Sequence, residues 1–168
     1  RAEKQARPQV SMFNSDADHL TVIKFYFKGA SWLLSEIVPI LNNFGLRVVK
    51  QVPYTLAAND DAPFHVLEFY VQNSTGAPLD LESIEPRLAP ALLAVVVGDE
   101  DGGALNELVV SAGLTVREVD VLRAYRNFAF QICIVPTRNL VEQALLQNPQ
   151  QARELFGYFR AKFDSDKA

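Results

Sequence analysis

Residues 106–125 read N-E-L-V-V-S-A-G-L-T-V-R-E-V-D-V-L-R-A-Y, and the punctuation of that stretch sets the architecture of the C-terminal half. Leu105, Leu108 and Val109 recur at helical spacing and Ala112-Gly113 stops the run; Thr115 with Glu118 three residues later is the signature of a reciprocal cap. Two helices meeting at a corner are therefore predicted. Val116, Val119, Leu122, Tyr125 and Ala129 continue at three- and four-residue steps, so the second helix is expected to bury that stripe. Such a corner is also the shape of a DNA-reading motif. Here Arg117, Arg123 and Arg126 are offset by Glu118 and Asp120, and the clustered positive face that phosphate backbones require does not form.

Helical periodicity continues outward from the corner. Upstream, residues 81–97 read as one helical region starting near Asp80, bent or broken by Pro86 and Pro90 and joined to the corner by the loop 98–103. Downstream, Val135-Pro136-Thr137 restarts a helix through Leu140, Val141, Ala144 and Leu145. Asn148-Pro149 opens the last one, with Ala152, Leu155, Phe156, Phe159 and Phe163 as its expected buried stripe.

Before residue 80 the period changes to two. Residues 20–27 (L-T-V-I-K-F-Y-F), 46–56 (L-R-V-V-K-Q-V-P-Y-T-L) and 64–72 (F-H-V-L-E-F-Y-V-Q) read as strands, the last two closed into a hairpin by Asn59-Asp60-Asp61. Pro53 pushes the second toward a sheet edge or a bulge. Between the first two lies a helix with Ser35 as its N-cap, Pro39 in its first turn, Ile37, Val38, Leu41 and Phe44 inward, and Gly45 as its stop. Strand, helix, strand, strand, helix is the order of a ferredoxin-like βαββα unit. The fold class is thus α+β: a linker or tail over 1–18, a sheet unit over 19–79 and a helical domain over 80–168. Residues 9–13 alternate well enough to add an edge strand.

That order makes the first and third strands antiparallel neighbours. Ile23, Phe25 and Phe27 should join Leu67, Phe69 and Val71 beneath the helices, with Lys24 across from Glu68 on the other face. This other face is too apolar to be wholly wet, and Val22, Tyr26, Val66 and Tyr70 are its interface candidates.

Composition bounds the partners. Hydrophobic residues make up 49% of the 168, ample for a packed core, and a net charge of −4 argues against a nucleic-acid partner. Residues 88–97 are too short a run to cross a bilayer, and Pro90 interrupts them. A lone Cys133 inside the apolar run 130–135 is expected to be a buried thiol, in keeping with a reducing, cytoplasmic compartment. The chain starts with Arg and carries no secretion signal, which reads as a piece excised from a longer protein.

Reactive chemistry is sparse. His19 and His65 stand singly at strand positions without a second ligand, and the acidic clusters at 60–61 and 99–101 lack the alternating series of a calcium loop. Gly102-Gly103 has neither the G-x-G-x-x-G spacing nor the lysine of a phosphate loop, and Ser31, Ser35, Ser111 and Thr115 have no histidine nearby in sequence. No catalytic, cofactor-binding or metal-binding residue emerges.

The set L-R-V-V at 46–49 after Phe44-Gly45, Val52-Pro53-Tyr54, the run 105–119, Leu122-Arg123-Ala124-Tyr125 and the closing R-A-K-F-D at 160–164 resembles the large bacterial NAD-specific glutamate dehydrogenases, in matching order over residues 20–164. Val116 departs from the tryptophan usual there, Leu105 from phenylalanine, and Ser165 from proline. In that family a long N-terminal region with ACT-like domains and helical segments precedes the catalytic domain. The resemblance implies a non-catalytic regulatory or assembly segment, whose parent converts L-glutamate, NAD and water to 2-oxoglutarate, ammonia and NADH. NAD and the catalytic residues would lie elsewhere in that parent. Its other domains would be this segment's partners within the same chain, and the parent is expected to be a homo-oligomer. ACT domains commonly bind amino acids at the turn after the first strand, which makes Lys28, Gly29 and Ser31 the candidate effector residues. A free-standing ACT-type amino-acid sensor is the alternative reading.

Overall fold

Alternation along Leu20–Lys28 sends Ile23, Phe25 and Phe27 to one face of a strand, and the strand beside it answers in kind. In the computed structural model, which describes residues 7–29, 34–56 and 62–163, four strands form one antiparallel sheet. They are β1 (Gln9–Ser15), β2 (Leu20–Lys28), β3 (Arg47–Leu56) and β4 (Phe64–Gln72), in the order β1-β2-β4-β3. Ile23 pairs with Phe69, Phe25 with Leu67 and Lys24 with Glu68, the predicted register. The Phe25 ring meets Phe69 edge-on at 6.0 Å and stacks on Phe27 at 6.2 Å. Each such buried side chain contributes about 1.5–3 kcal/mol of burial free energy.

The segment before the unit takes its strand option. Val10 and Met12 pair with Phe25 and Ile23, so β1 fills the open edge beside β2. Asn14 Nδ2 donates to the Leu79 carbonyl at 3.0 Å. Buried Thr21 Oγ1 donates to Asn14 Oδ1 at 2.7 Å and accepts from Leu79 N–H at 2.8 Å. This relay fixes the start of α2 (Leu81–Val96) against the first two strands. At the other edge β3 carries Pro53, as expected of an edge strand; the register shift lies at Val48/Lys50, away from the proline.

Two helices cover the core face: α1 (Leu34–Asn43) over β3 and α2 over β1. Ile37, Leu41 and Phe44 from α1 and its C-terminal turn share one core with Leu88 and Leu92 from α2, all fully buried. Helix α1 ends in a Schellman turn: Gly45 N–H bonds to Asn42 O at 2.9 Å and Leu46 N–H to Leu41 O at 3.1 Å. Gly45 has φ +73°, and a Cβ there would lie 2.8 Å from Glu107 Cγ, so both backbone and neighbour demand glycine. The helix begins at Leu34, which places Ser35 inside the first turn instead of at the cap and Pro39 one turn deeper than expected. Helix α2 runs unbroken through Pro86 and Pro90.

A 3₁₀ turn at Ala104–Asn106 leads into α3 (Glu107–Ser111), the corner, α4 (Val116–Gln131), α5 (Arg138–Gln147) and α6 (Pro149–Phe163). Gly113 turns the corner at φ +67°. The reciprocal cap is present: Thr115 N–H donates to Glu118 Oε2 at 2.7 Å, and Glu118 N–H to Thr115 Oγ1 at 3.4 Å. Val116, Val119 and Leu122 are buried in one continuous core with the sheet unit.

Several expectations for the helical part fail. The α4 stripe stops at Leu122, leaving Tyr125 exposed and Ala129 only half-buried, and on α6 Ala152 alone is buried while Leu155 and Phe163 face solvent. Arg123, which enters the sequence reading only through the charge balance of α4, is buried. Cys133 is exposed at φ +57° in the turn after α4, because the apolar run around it leaves the helix instead of entering the core. His19 sits in the β1–β2 turn at φ +52°, outside any strand; His65 is on β4, its Nδ1 3.2 Å from Thr55 Oγ1. The hairpin turn at 59–61 and Ser31 lie outside the described residues.

Removing the cap at the corner isolates one local contribution. Thr115→Ala is expected to lower unfolding free energy by about 1 kcal/mol, read from urea denaturation, and Thr115→Ser to leave it nearly unchanged.

Candidate functional site

Three regions could carry function. The first is the sheet face away from the helices, where β1 adds Ser11 and Phe13, and β3 adds Lys50, Val52 and Tyr54, to the residues of β2 and β4. Lys24 Nζ lies 3.0 Å from Glu68 Oε1 and 5.0 Å from the centre of the Phe13 ring, and Lys50 Nζ lies 4.6 Å from that of Tyr70. Ser11 Oγ is 3.1 Å from the Tyr26 hydroxyl. Of the four interface candidates, Tyr26, Val66 and Tyr70 are partly exposed. Val22 is wholly buried between Phe13 and Tyr70, so it supports the face from below and offers no surface of its own.

Glu68 is the centre of this face and is itself buried. It holds Lys24 charged, raising that pKa through the hydrogen bond between them, and it lies against the Tyr54 hydroxyl, raising the phenol pKa by the same cause. A buried carboxylate with a cation and a hydroxyl around it is structural chemistry: it fixes register and supplies no free acid or base.

The second region is the turn after β2. Gly29, at φ +83°, donates its N–H to the Pro63 carbonyl at 2.9 Å, and a Cβ on it would touch Ala62 Cβ at 3.4 Å. Lys28 pairs with Phe64 as the last residue of β2. Lys28 and Gly29 are thus brought together at one end of the sheet and tied to the start of β4.

The third region was not foreseen. Tyr125 of α4 meets Phe159 of α6 edge-on at 5.8 Å, Phe159 contacts Phe163 at 5.0 Å, and Leu122, Leu155 and Tyr158 complete a groove of about 280 Å³. A second hollow of similar volume, about 280 Å³, continues past Tyr125 and Phe159 to Val121 and Phe128. Lys162 is the one charged residue lining the groove. Tyr158 is 67% exposed and Phe163 59%, so this seam is a contiguous apolar surface beyond what isolated exposed hydrophobes would make. The sequence signal was the same stripe that was read as buried.

Elsewhere, a cavity of about 290 Å³ lies where Gly45 and Asp80 approach Glu107, whose carboxyl pKa burial pushes up. Among the described residues no group of three or more His, Cys, Asp or Glu is placed to hold a metal ion, and no helix is long and apolar enough to cross a membrane.

Comparison with known proteins matches both halves. Residues 7–84 match the family described as glutamate dehydrogenase, ACT3 domain, and residues 100–165 the one described as glutamate dehydrogenase, helical motif 3. The NAD-specific glutamate dehydrogenases of Halomonas elongata and Pseudomonas aeruginosa are 31% and 32% identical over 84% and 83% of this chain. That of Mycobacterium tuberculosis is 27% identical over 88% of it. In each case the chain spans 9% of the relative's length.

The Glu68 cluster gives a pH signature. Lys24 and Tyr54 both bind their protons more tightly when folded, so the stabilisation is complete below their ordinary values of 10.5 and 10.0 and is lost as pH rises through the raised ones. The urea midpoint should fall over that alkaline window in the wild type and fall less in Glu68→Gln, which removes the charge both groups respond to.

Proposed function

This chain belongs to the glutamate dehydrogenase family, as its ACT3 domain followed by helical motif 3, and from that premise we propose that it is a non-catalytic regulatory and assembly segment of a long NAD-dependent enzyme. On this reading the parent converts L-glutamate, NAD and water to 2-oxoglutarate, ammonia and NADH. Its dinucleotide and substrate sites lie in other domains, and it works in the cytoplasm as a homo-oligomer.

The observation that carries the reading is the uncovered α4–α6 seam. Tyr125, Phe128, Leu155, Tyr158 and Phe163 are all exposed, and they lie together along two neighbouring helices. Burying one such side chain is worth about 1.5–3 kcal/mol, so a row of them favours a partner surface strongly. The relatives are roughly ten times longer than this chain, which makes neighbouring domains the natural cover. The sheet face with Tyr26, Val66 and Tyr70 is a second docking surface on this reading. Lys28, Gly29 and Ser31 remain the residues at which an amino-acid effector would act.

The test is association in trans. The purified 168-residue chain should bind the rest of the parent polypeptide, and Phe159→Asp should weaken that binding about tenfold or more while its circular dichroism stays that of the wild type. Reduction of NAD with L-glutamate by the chain alone, or no complex with the remaining polypeptide, would overturn the reading.

A further inference from the structure

Arg87 of α2 and Arg153 of α6 are far apart in sequence and converge on the corner. Arg87 Nη2 lies 3.4 Å, and Arg153 Nη1 3.9 Å, from the point that a Cβ on Gly113 would occupy. Neither guanidinium has an ion pair or a hydrogen bond among the described residues, and Arg87 Nε is buried with no acceptor. Exposed arginines such as Arg117 and Arg160 are also without ion pairs among the described residues, but three cations as little exposed as Arg87 are held by acids. Lys24 is held by Glu68, Arg123 by Asp120 and Asp101, and Arg126 by Glu142.

Two unpaired positive charges brought to one point repel each other, and the repulsion grows as water is excluded from between them. A buried N–H without an acceptor adds a desolvation cost. An oxyanion between Arg87 Nη2 and Arg153 Nη1 relieves the repulsion, because each guanidinium offers a planar fork of donors that fits a carboxylate or phosphate edge. Gly113 leaves the space open: with φ +67° and no side chain, it exposes backbone where another residue would fill the gap. Arg153 is exposed and Arg87 half-buried, so a small ligand can reach the site from solvent.

We propose that Arg87 and Arg153 over Gly113 form an oxyanion-binding site that takes a carboxylate or phosphate group. The three residues belong to α2, the α3–α4 corner and α6, so a bound anion clamps the last helix to the helix that covers the sheet. Binding to the folded chain alone raises its stability by linkage. The site shares no residue with the α4–α6 seam and stands whether or not the assembly reading does.

The experiment titrates the 168-residue chain with sodium phosphate in one arm and sodium malonate in another, against sodium chloride at matched ionic strength. Melting temperature and the Gly113 amide resonance are followed. Saturable change with at least one oxyanion, beyond that seen in chloride, is expected; the arm that responds identifies phosphate, carboxylate or both as the chemistry accepted. Arg153→Gln should weaken binding about tenfold or more, and Arg87→Gln likewise. Arg160→Gln, an exposed arginine on the same helix, should bind as the wild type does. No response beyond chloride in either arm, or full binding by the Arg153→Gln variant, would overturn the site.

Discussion

The pairing of β2 with β4 is the constraint on which the rest of the fold depends. Side chains alternate with a period of two, so a slip of one residue would turn Ile23, Phe25 and Phe27 out of the core and Lys24 into it. Apolar burial alone sets the face. The ion pair between Lys24 and Glu68 adds a penalty for every other register, since a displaced Glu68 would be a buried carboxylate with no cation. With that pair in place, β1 and β3 have one position each, and α1 and α2 have one surface to cover.

The helical half is fixed by a second polar device. Arg123 is buried; its Nη2 donates to Asn106 Oδ1 at 2.9 Å and its Nη1 to Asp120, while Asn106 Nδ2 donates to the Asp101 carbonyl at 2.7 Å. Burial lowers the Arg123 pKa and the Asp101 charge works against that lowering. Asn43 Nδ2 reaches the Gly102 carbonyl at 2.6 Å, so the same loop is tied to the end of α1. Such a network adds little net stability compared with an apolar core, but a loop that must satisfy Asn106, Arg123 and Asn43 together has few alternative conformations. This is how a corner and a sheet, each legible alone, become one core.

Legibility divides along a physical line. Strands, the stop at Gly45 and the cap at Thr115 were readable because each depends on residues a few positions apart; the β2–β4 register, between residues tens of positions apart, followed from the element order and the period-two alternation of both strands. The start of α1 lies two residues before the one that Ser35 as a cap implies, since a serine suits a cap and a first turn alike. Periodicity identified the apolar stripes of α4 and α6 but could not say whether anything covers them: an amphipathic pattern marks a face, and burial depends on what lies across from it. Cys133 failed for the same reason, because a hydrophobic run that ends a helix and one that forms a core look alike in one dimension. Arg123 and the pair Arg87 and Arg153 depend on contacts between segments far apart in sequence, which no local pattern carries.

The stretch Asn106–Tyr125, inside the part that matches helical motif 3, can be read residue by residue as structure. Asn106 holds the loop, Gly113 turns the corner, Thr115 and Glu118 cap α4, and Arg123 closes on Asn106. Each of these positions has a geometric role, and a short string therefore describes a whole corner. The seam is different. Leu155 and Phe159 need only be apolar and large, and the groove shares just Leu122 and Tyr125 with the stretch 106–125. A surface built from interchangeable hydrophobes leaves a weak trace in sequence, whereas a corner built from singular hydrogen bonds leaves a strong one. Family membership could thus be read from the architecture of the chain, while the surface that meets its neighbours became visible only once that architecture was assembled.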